Sequence, residues 1–151
     1  MSIFNSLNNS ASALTAQRLR MDVISSNMAN IDTTRAKQDA NGDWEPYRRK
    51  MVAMEPAGTF SSQLSRAMMK NGNSSSGGVK VTEIREDKTP FKLMYQPEHP
   101  DANEEGYVQL PNVDPLKEMV DLMSATRSYE ANVTALNASK GMLMKALEIG
   151  K

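Results

Sequence analysis

The chain has 151 residues, with 39% of them hydrophobic and equal numbers of basic and acidic side chains, 18 of each. Its zero net charge leaves no basic field to neutralise a phosphate backbone, which argues against nucleic acid as a partner and favours self-association. The absence of cysteine excludes disulfides and thiolate metal sites, and no apolar run reaches the roughly 18 residues needed to span a membrane.

Three Phe, four Tyr and one Trp rule out a large aromatic core, so part of the chain is expected to order only against partners. The opening MSIFNSLNNSASAL carries neither a basic start nor a continuous apolar stretch. It does not read as a cleavable secretory signal.

Residues 3–31 predict one helix. Leu7, Leu14, Met21 and Met28 repeat by sevens, with Ile3, Ile24 and Ile31 on neighbouring rows. A strict seven-residue repeat keeps a narrow stripe facing a partner helix. The Asn and Ser residues at 5–12 compete with their own backbone for hydrogen bonds, so this helix is expected to be marginal in isolation. Residues 32–48 read as a loop, with Asn41-Gly42 and Glu45-Pro46 as turn signals. A short strand is expected within 47–56, and a turn or two of helix at 60–70, with Phe60, Leu64, Ala67 and Met68 on one side. The Asn, Gly and Ser run at 71–78 reads as a flexible linker.

VKVTEIRE at 79–86 alternates apolar with polar and predicts a half-buried strand. FKLMY at 91–95 and YVQLP at 107–111 predict two more strands around an acidic, Pro-containing loop. Asp114-Pro115 supplies an N-cap and a first helical residue, with Glu118 and Asp121 in the turns where the helix dipole favours negative charge. The last helix is expected to run to about Ile149, stopped by Gly150. Leu122, Tyr129, Leu136 and Leu143 repeat by sevens along it, flanked by Met119, Val133 and Leu147. At ~50 Å it exceeds what a small domain needs, so part of it is expected to pack outside the domain. Thr126 and Lys140 fall on the stripe; a polar residue there either fixes register or marks fraying.

No reaction chemistry stands out. His99, the only histidine, sits in Glu98-His99-Pro100-Asp101, without the paired-ligand spacing of metal sites. Glu104 and Glu105 are adjacent and read as solvated charges rather than a catalytic pair. No nucleophile elbow and no phosphate loop are present. The basic residues Arg18 and Arg20, and Arg48, Arg49 and Lys50, read as solvated faces. The twelve methionines fill irregular gaps. They either complete an ordinary core or pack against several non-identical neighbours.

Residues 13–33, ALTAQRLRMDVISSNMANIDT, resemble the N-terminal pattern of bacterial flagellar rod and hook proteins, with Asn27, Ala29, Asn30 and Thr33 matching Asn-x-x-Ala-Asn-x-x-Thr. The closing segment, above all Ser128-Tyr129-Glu130-Ala131-Asn132, resembles the family's C-terminal pattern. Between them, Glu45-Pro46-Tyr47-Arg48-Arg49-Lys50, Gly77-Gly78-Val79-Lys80-Val81, His99-Pro100-Asp101-Ala102 and Gly106 through Val113 resemble a short proximal-rod member. Where many members follow the Asn/Thr pattern with a Pro-Gly-aromatic turn, Thr34-Arg35-Ala36-Lys37 stands here.

The resemblance implies a non-enzymatic subunit of the rod that transmits torque and encloses the export channel. It implies export through the flagellar apparatus without signal cleavage, and a place in the basal body across the periplasm. Partners would be other rod proteins, copies of itself, the membrane-ring base and the export apparatus, with no nucleic acid, small-molecule substrate, cofactor or metal. The expected fold is mainly α with a small β part, the terminal helices paired in a coiled-coil-like arrangement. Residues 1–34 and 108–151 would form a discontinuous helical core and 35–107 a β-rich middle. Leu7, Leu14, Met21, Ile24, Met28 and Ile31 would meet Met119, Leu122, Tyr129, Val133, Leu136, Leu143 and Leu147, or their copies, at the assembly interface. Two other readings predict different behaviour: a secreted wall-remodelling enzyme with a cleft around His99, Asp101, Glu104 and Glu105, and a cytosolic coiled-coil regulator.

Overall fold

The structure is a computed structural model that describes residues 3–38, 42–58, 68 and 77–150. Two long helices frame three small sheets. Helix α1 covers Ile3–Ala29 and helix α2 covers Pro115–Ile149. Between them lie β1 (Lys37–Gln38), β2 (Trp44–Glu45), β3 (Lys50–Pro56), β4 (Val79–Glu86), β5 (Lys92–Tyr95) and β6 (Tyr107–Leu110). The sheets are two-stranded: β1 with β2, β3 with β4, and β5 with β6. The fold is thus mainly α with a small β part. No helix among the described residues is long and apolar enough to cross a membrane.

Local chemistry sets the helix ends. The Asn30 amide donates to the Ser26 carbonyl at 2.8 Å and Asn30 N–H reaches the same oxygen at 3.2 Å, closing α1 two residues short of the expected Ile31. Asp114 caps α2, its Oδ1 accepting from Leu116 N–H at 3.1 Å. Gly150 N–H returns to the Ala146 carbonyl at 3.3 Å at the far end.

Two local expectations meet a different outcome. The stretch read as loop at 32–48 contains the antiparallel β1–β2 pair, with Lys37 opposite Glu45 and Gln38 opposite Trp44. Strand β4 keeps its expected bounds but is not half-buried: only Val81 is partly covered, and Ile84 is 49% exposed. A two-stranded ribbon shields neither face by itself, so alternation in sequence does not guarantee burial. The helical turn expected at 60–70 falls outside the described residues except at Met68, and the linker does so at 71–76.

The chain divides into two compact units, one of Met1–Leu19, Ala53–Glu83 and Ala125–Lys151, the other of Arg20–Val52 and Ile84–Ser124. In the first, Ala16 and Ala125 are buried. Ser12 Oγ donates to the Asn9 carbonyl at 2.8 Å and accepts from Val79 N–H at 3.1 Å, fastening the start of β4 to α1. Gly78 makes this approach possible. Its φ is +77°, and a Cβ there would collide with the Ser12 side chain.

In the second unit Val23, Ile24, Tyr47, Val108 and Val113 form the core. Here Arg20 meets Asp121 and Asn27 meets Glu118. Residue numbers rise along α1 as they fall along α2, so the two helix segments run antiparallel. Along α2 the buried or half-buried positions include 118, 122, 125, 129, 132, 136, 139 and 143, alternating by four and three. That is a heptad row, with Glu118, Ala125, Asn132 and Ser139 interleaved among the expected Leu122, Tyr129, Leu136 and Leu143.

Candidate functional site: a buried polar junction

The densest constellation of polar side chains lies in the second unit. It is a junction that joins α1, β3, the segment after β6 and the first turns of α2. Asn27, in the last turns of α1, is 1% exposed and has every hydrogen-bonding position filled. Its Oδ1 accepts from Lys50 N–H at 2.9 Å and from the Tyr47 hydroxyl at 3.0 Å. Its Nδ2 donates to the Lys50 carbonyl at 2.8 Å and to Glu118 Oε2 at 3.0 Å. An amide with two acceptor and two donor positions completes this set.

Glu118 is fully buried. Its other oxygen accepts from Arg49 Nε at 2.6 Å, and the same guanidinium reaches Asp121 at 3.3 Å and Asp87 at 3.6 Å. Arg20 pairs with Asp121 from α1 at 3.3 Å. One buried cation therefore holds three carboxylates from two segments. Removing one partner of such a buried pair leaves an uncompensated charge and costs far more than the intact pair contributes. The Thr89 backbone N–H holds the Asp87 carboxyl below its ordinary value of 3.8; partial burial opposes this, and the Thr89 hydroxyl and Arg49 add to the lowering.

Asn112 forms a second clasp. Its carbonyl oxygen accepts from Arg49 N–H at 2.8 Å, while its amide donates to Thr89 Oγ1 at 2.9 Å and to the Asp87 and Thr89 carbonyls at 3.2 Å. Lys92 donates to the Val113 carbonyl at 2.9 Å, and the Arg48 guanidinium sits 4.2 Å above the Phe91 ring. Arg49 is thus buried, not part of the solvated basic face expected from its sequence neighbours.

The Asn/Thr pattern divides its work. Asn27 occupies the junction, Asn30 ends α1, and Thr33 donates to Asn30 Oδ1 at 3.3 Å while its carbonyl accepts from Tyr47 N–H at 3.0 Å. Ala29 is exposed. Immediately after the pattern, Thr34 donates to Asp101 at 2.7 Å and Arg35 forms an ion pair with the same carboxylate. These two bonds, the Arg35 one first, keep Asp101 ionised below the ordinary 3.8.

Of the stripe residues, Ile24 is buried, and Leu7, Leu14, Met21, Met28, Ile31, Leu122, Tyr129, Val133, Leu136 and Leu143 are half-buried. Met119 and Leu147 are 49% and 70% exposed. His99 Nδ1 accepts from Asp101 N–H at 3.1 Å, and Glu104 and Glu105 are exposed. Among the described residues no group of three or more His, Asp or Glu stands close enough to hold a metal ion. Asn112, Glu118, Tyr47 and Arg49 carry the junction without any hydropathy signal in the sequence. The Asn27 pattern points to it, as does the resemblance of the segments that carry Tyr47, Arg49 and Asn112 to a rod member.

A junction of this kind ties chain segments together mechanically and offers no reacting atom. Residues 7–37 match the family described as flagella basal body rod protein, and residues 104–149 match the C-terminal family of the flagellar basal body rod FlgEFG proteins. Among similar proteins, the flagellar basal-body rod protein FlgC of Bacillus subtilis is 69% identical over the whole of both chains. The FlgC of Borreliella burgdorferi is 44% identical over 99% of this chain and 98% of its own, and that of Escherichia coli O6:H1 is 41% identical over the whole of both. The chain belongs to the FlgC family of flagellar basal-body rod proteins.

Proposed function

We propose that this chain builds the proximal part of the flagellar rod by packing its terminal helices against those of neighbouring subunits. Membership in the family makes it a structural subunit of the basal-body rod, not an enzyme, which assembles with other rod components. The observation that carries the packing mode is the far half of α2. Met142, Met144, Leu147 and Ile149 are 55–86% exposed at the end of a 35-residue helix. Apolar side chains displayed at this density on a helix mark an interaction surface.

In this reading residues 1–34 and 108–151 form the helical core of the assembled subunit, coiled-coil-like, and 35–107 lies outside it. Leu7, Leu14, Met21, Ile24, Met28 and Ile31 face Leu122, Tyr129, Val133, Leu136 and Leu143 within or between subunits. Met119 and Leu147, exposed in the single chain, contact neighbours only. The buried junction fixes the angle between helices and outer part, so that torque passes through the subunit without slack. The rod crosses the periplasm, and the chain reaches it through the flagellar export apparatus with no signal removed, docking on the base at the membrane ring. A tube of this kind arises when head-to-tail contacts do not close into a ring.

Replacing Met144 and Leu147 together with Asp tests the packing. The free chain should unfold at the same denaturant concentration, while motility and the amount of the chain in purified basal bodies should collapse. Full motility with normal incorporation would overturn this packing mode.

A further inference from the structure

Two surfaces of the second unit display exposed apolar side chains in the single chain. The first is on α2: Leu116, Met119, Val120 and Met123 are 74%, 49%, 61% and 53% exposed. Spaced at i, i+3, i+4 and i+7, they form one row, on the side of the helix away from buried Glu118 and Ala125. Exposed Lys117 and Arg127 flank this row.

The second is a groove of about 370 Å³ beside the β5–β6 ribbon. The register places Leu93 opposite Gln109 and Tyr95 opposite Tyr107, so these four share one face, while buried Val108 lies on the other. On the shared face Leu93 is 67% and Tyr107 42% exposed, and both line the groove with Trp44, itself 53% exposed. Asp43 and Asp101 stand at its walls, Asp101 in its ion pair with Arg35.

We infer that the groove of one subunit receives the 116–123 row of a second copy of this chain. This inference rests on the rod reading and names a contact within it. The surfaces match in kind where Trp44, Leu93 and Tyr107 line the groove: an amphipathic helix row anchors on such side chains through positions i, i+3, i+4 and i+7. They also match in charge, since Lys117 and Arg127 flank the row and Asp43 stands at the groove wall. Trp44 and Tyr107 are the residue types that dominate such contacts, and methionines at 119 and 123 adapt to them. Because the two surfaces differ, the contact is heterologous. Each copy keeps one free groove and one free row, which extends an assembly instead of closing a dimer.

The test places a photoreactive benzoylphenylalanine at Leu93, an exposed position where the larger side chain leaves the fold intact. Cells are irradiated, basal bodies purified, and adducts mapped by mass spectrometry. The expected result is an adduct of twice the chain mass joining position 93 to residues 116–123 of another copy. Arg127→Glu should lower its yield about tenfold, and Asp43→Lys should restore it. An adduct with a different polypeptide, an adduct elsewhere on the second copy, or none with the chain present in basal bodies would overturn the contact while leaving the rod reading intact. Absence of the chain without substitutions from basal bodies would instead overturn the rod reading.

Discussion

Asn27 shows how much one side chain can hold. Its four hydrogen bonds link α1 to the backbone of Lys50, the Tyr47 hydroxyl and Glu118. Asn27→Ala strands these buried groups, and the expected loss is about 3 kcal/mol, read from the denaturant midpoint. Arg49→Met should cost about 3–5 kcal/mol because it leaves buried Glu118 without its cation. Adding Glu118→Gln, which removes the charge and keeps an acceptor for Asn27 Nδ2, should recover part of that loss, and a double variant no better than Arg49→Met would count against the junction as described. Two carboxyls make the fold sensitive to acid. Asp87 and Asp101 both titrate below 3.8 when folded. Their contribution to stability is therefore complete above that value and disappears as pH falls through the lowered native values. Asp101→Asn should flatten the acid limb of stability against pH, and an unchanged limb would contradict the Thr34–Arg35–Asp101 tie. The Asn/Thr pattern was legible in the sequence, but its role was not. Nothing in Arg48-Arg49-Lys50 distinguishes the buried arginine from its half-buried and exposed neighbours, because burial here follows from a carboxylate nearly seventy residues away.

At the scale of elements, seven-residue repeats and capping chemistry made the helices readable. The Asp114-Pro115 start and the Gly150 end of α2 lie where the sequence placed them. Half of the covered row on α2 was invisible, however. Glu118, Ala125, Asn132 and Ser139 alternate with the larger residues, and small or polar side chains carry no hydropathy signal even where they are covered. Ala125 is fully buried, so Ala125→Leu should overpack its surroundings and cost about 1–3 kcal/mol; an unchanged unfolding midpoint would mean that the packing there is looser than the structure indicates. The β4 alternation misled in the opposite sense. A strand with one partner leaves its apolar positions in solvent until another surface arrives.

At the scale of the molecule, the low apolar fraction and the exposed helix row both support the proposal that the chain completes its core by assembly. Membership in the rod family accounts for surplus helix length that a self-contained domain does not need. The family patterns at the two ends, more than composition, made the rod family legible, while the middle gave the strand positions of β3 to β6 and not the β1–β2 pair.

Hydrogen exchange of the full chain, free and within purified basal bodies, tests the central claim most directly. The account predicts rapid exchange over residues 126–149 and the first half of α1 in the free chain, strong protection of both in the rod, and protection of 20–29 and 115–124 in both states through the junction. Equal protection of the whole of α2 in the free chain and in the rod would contradict folding on assembly.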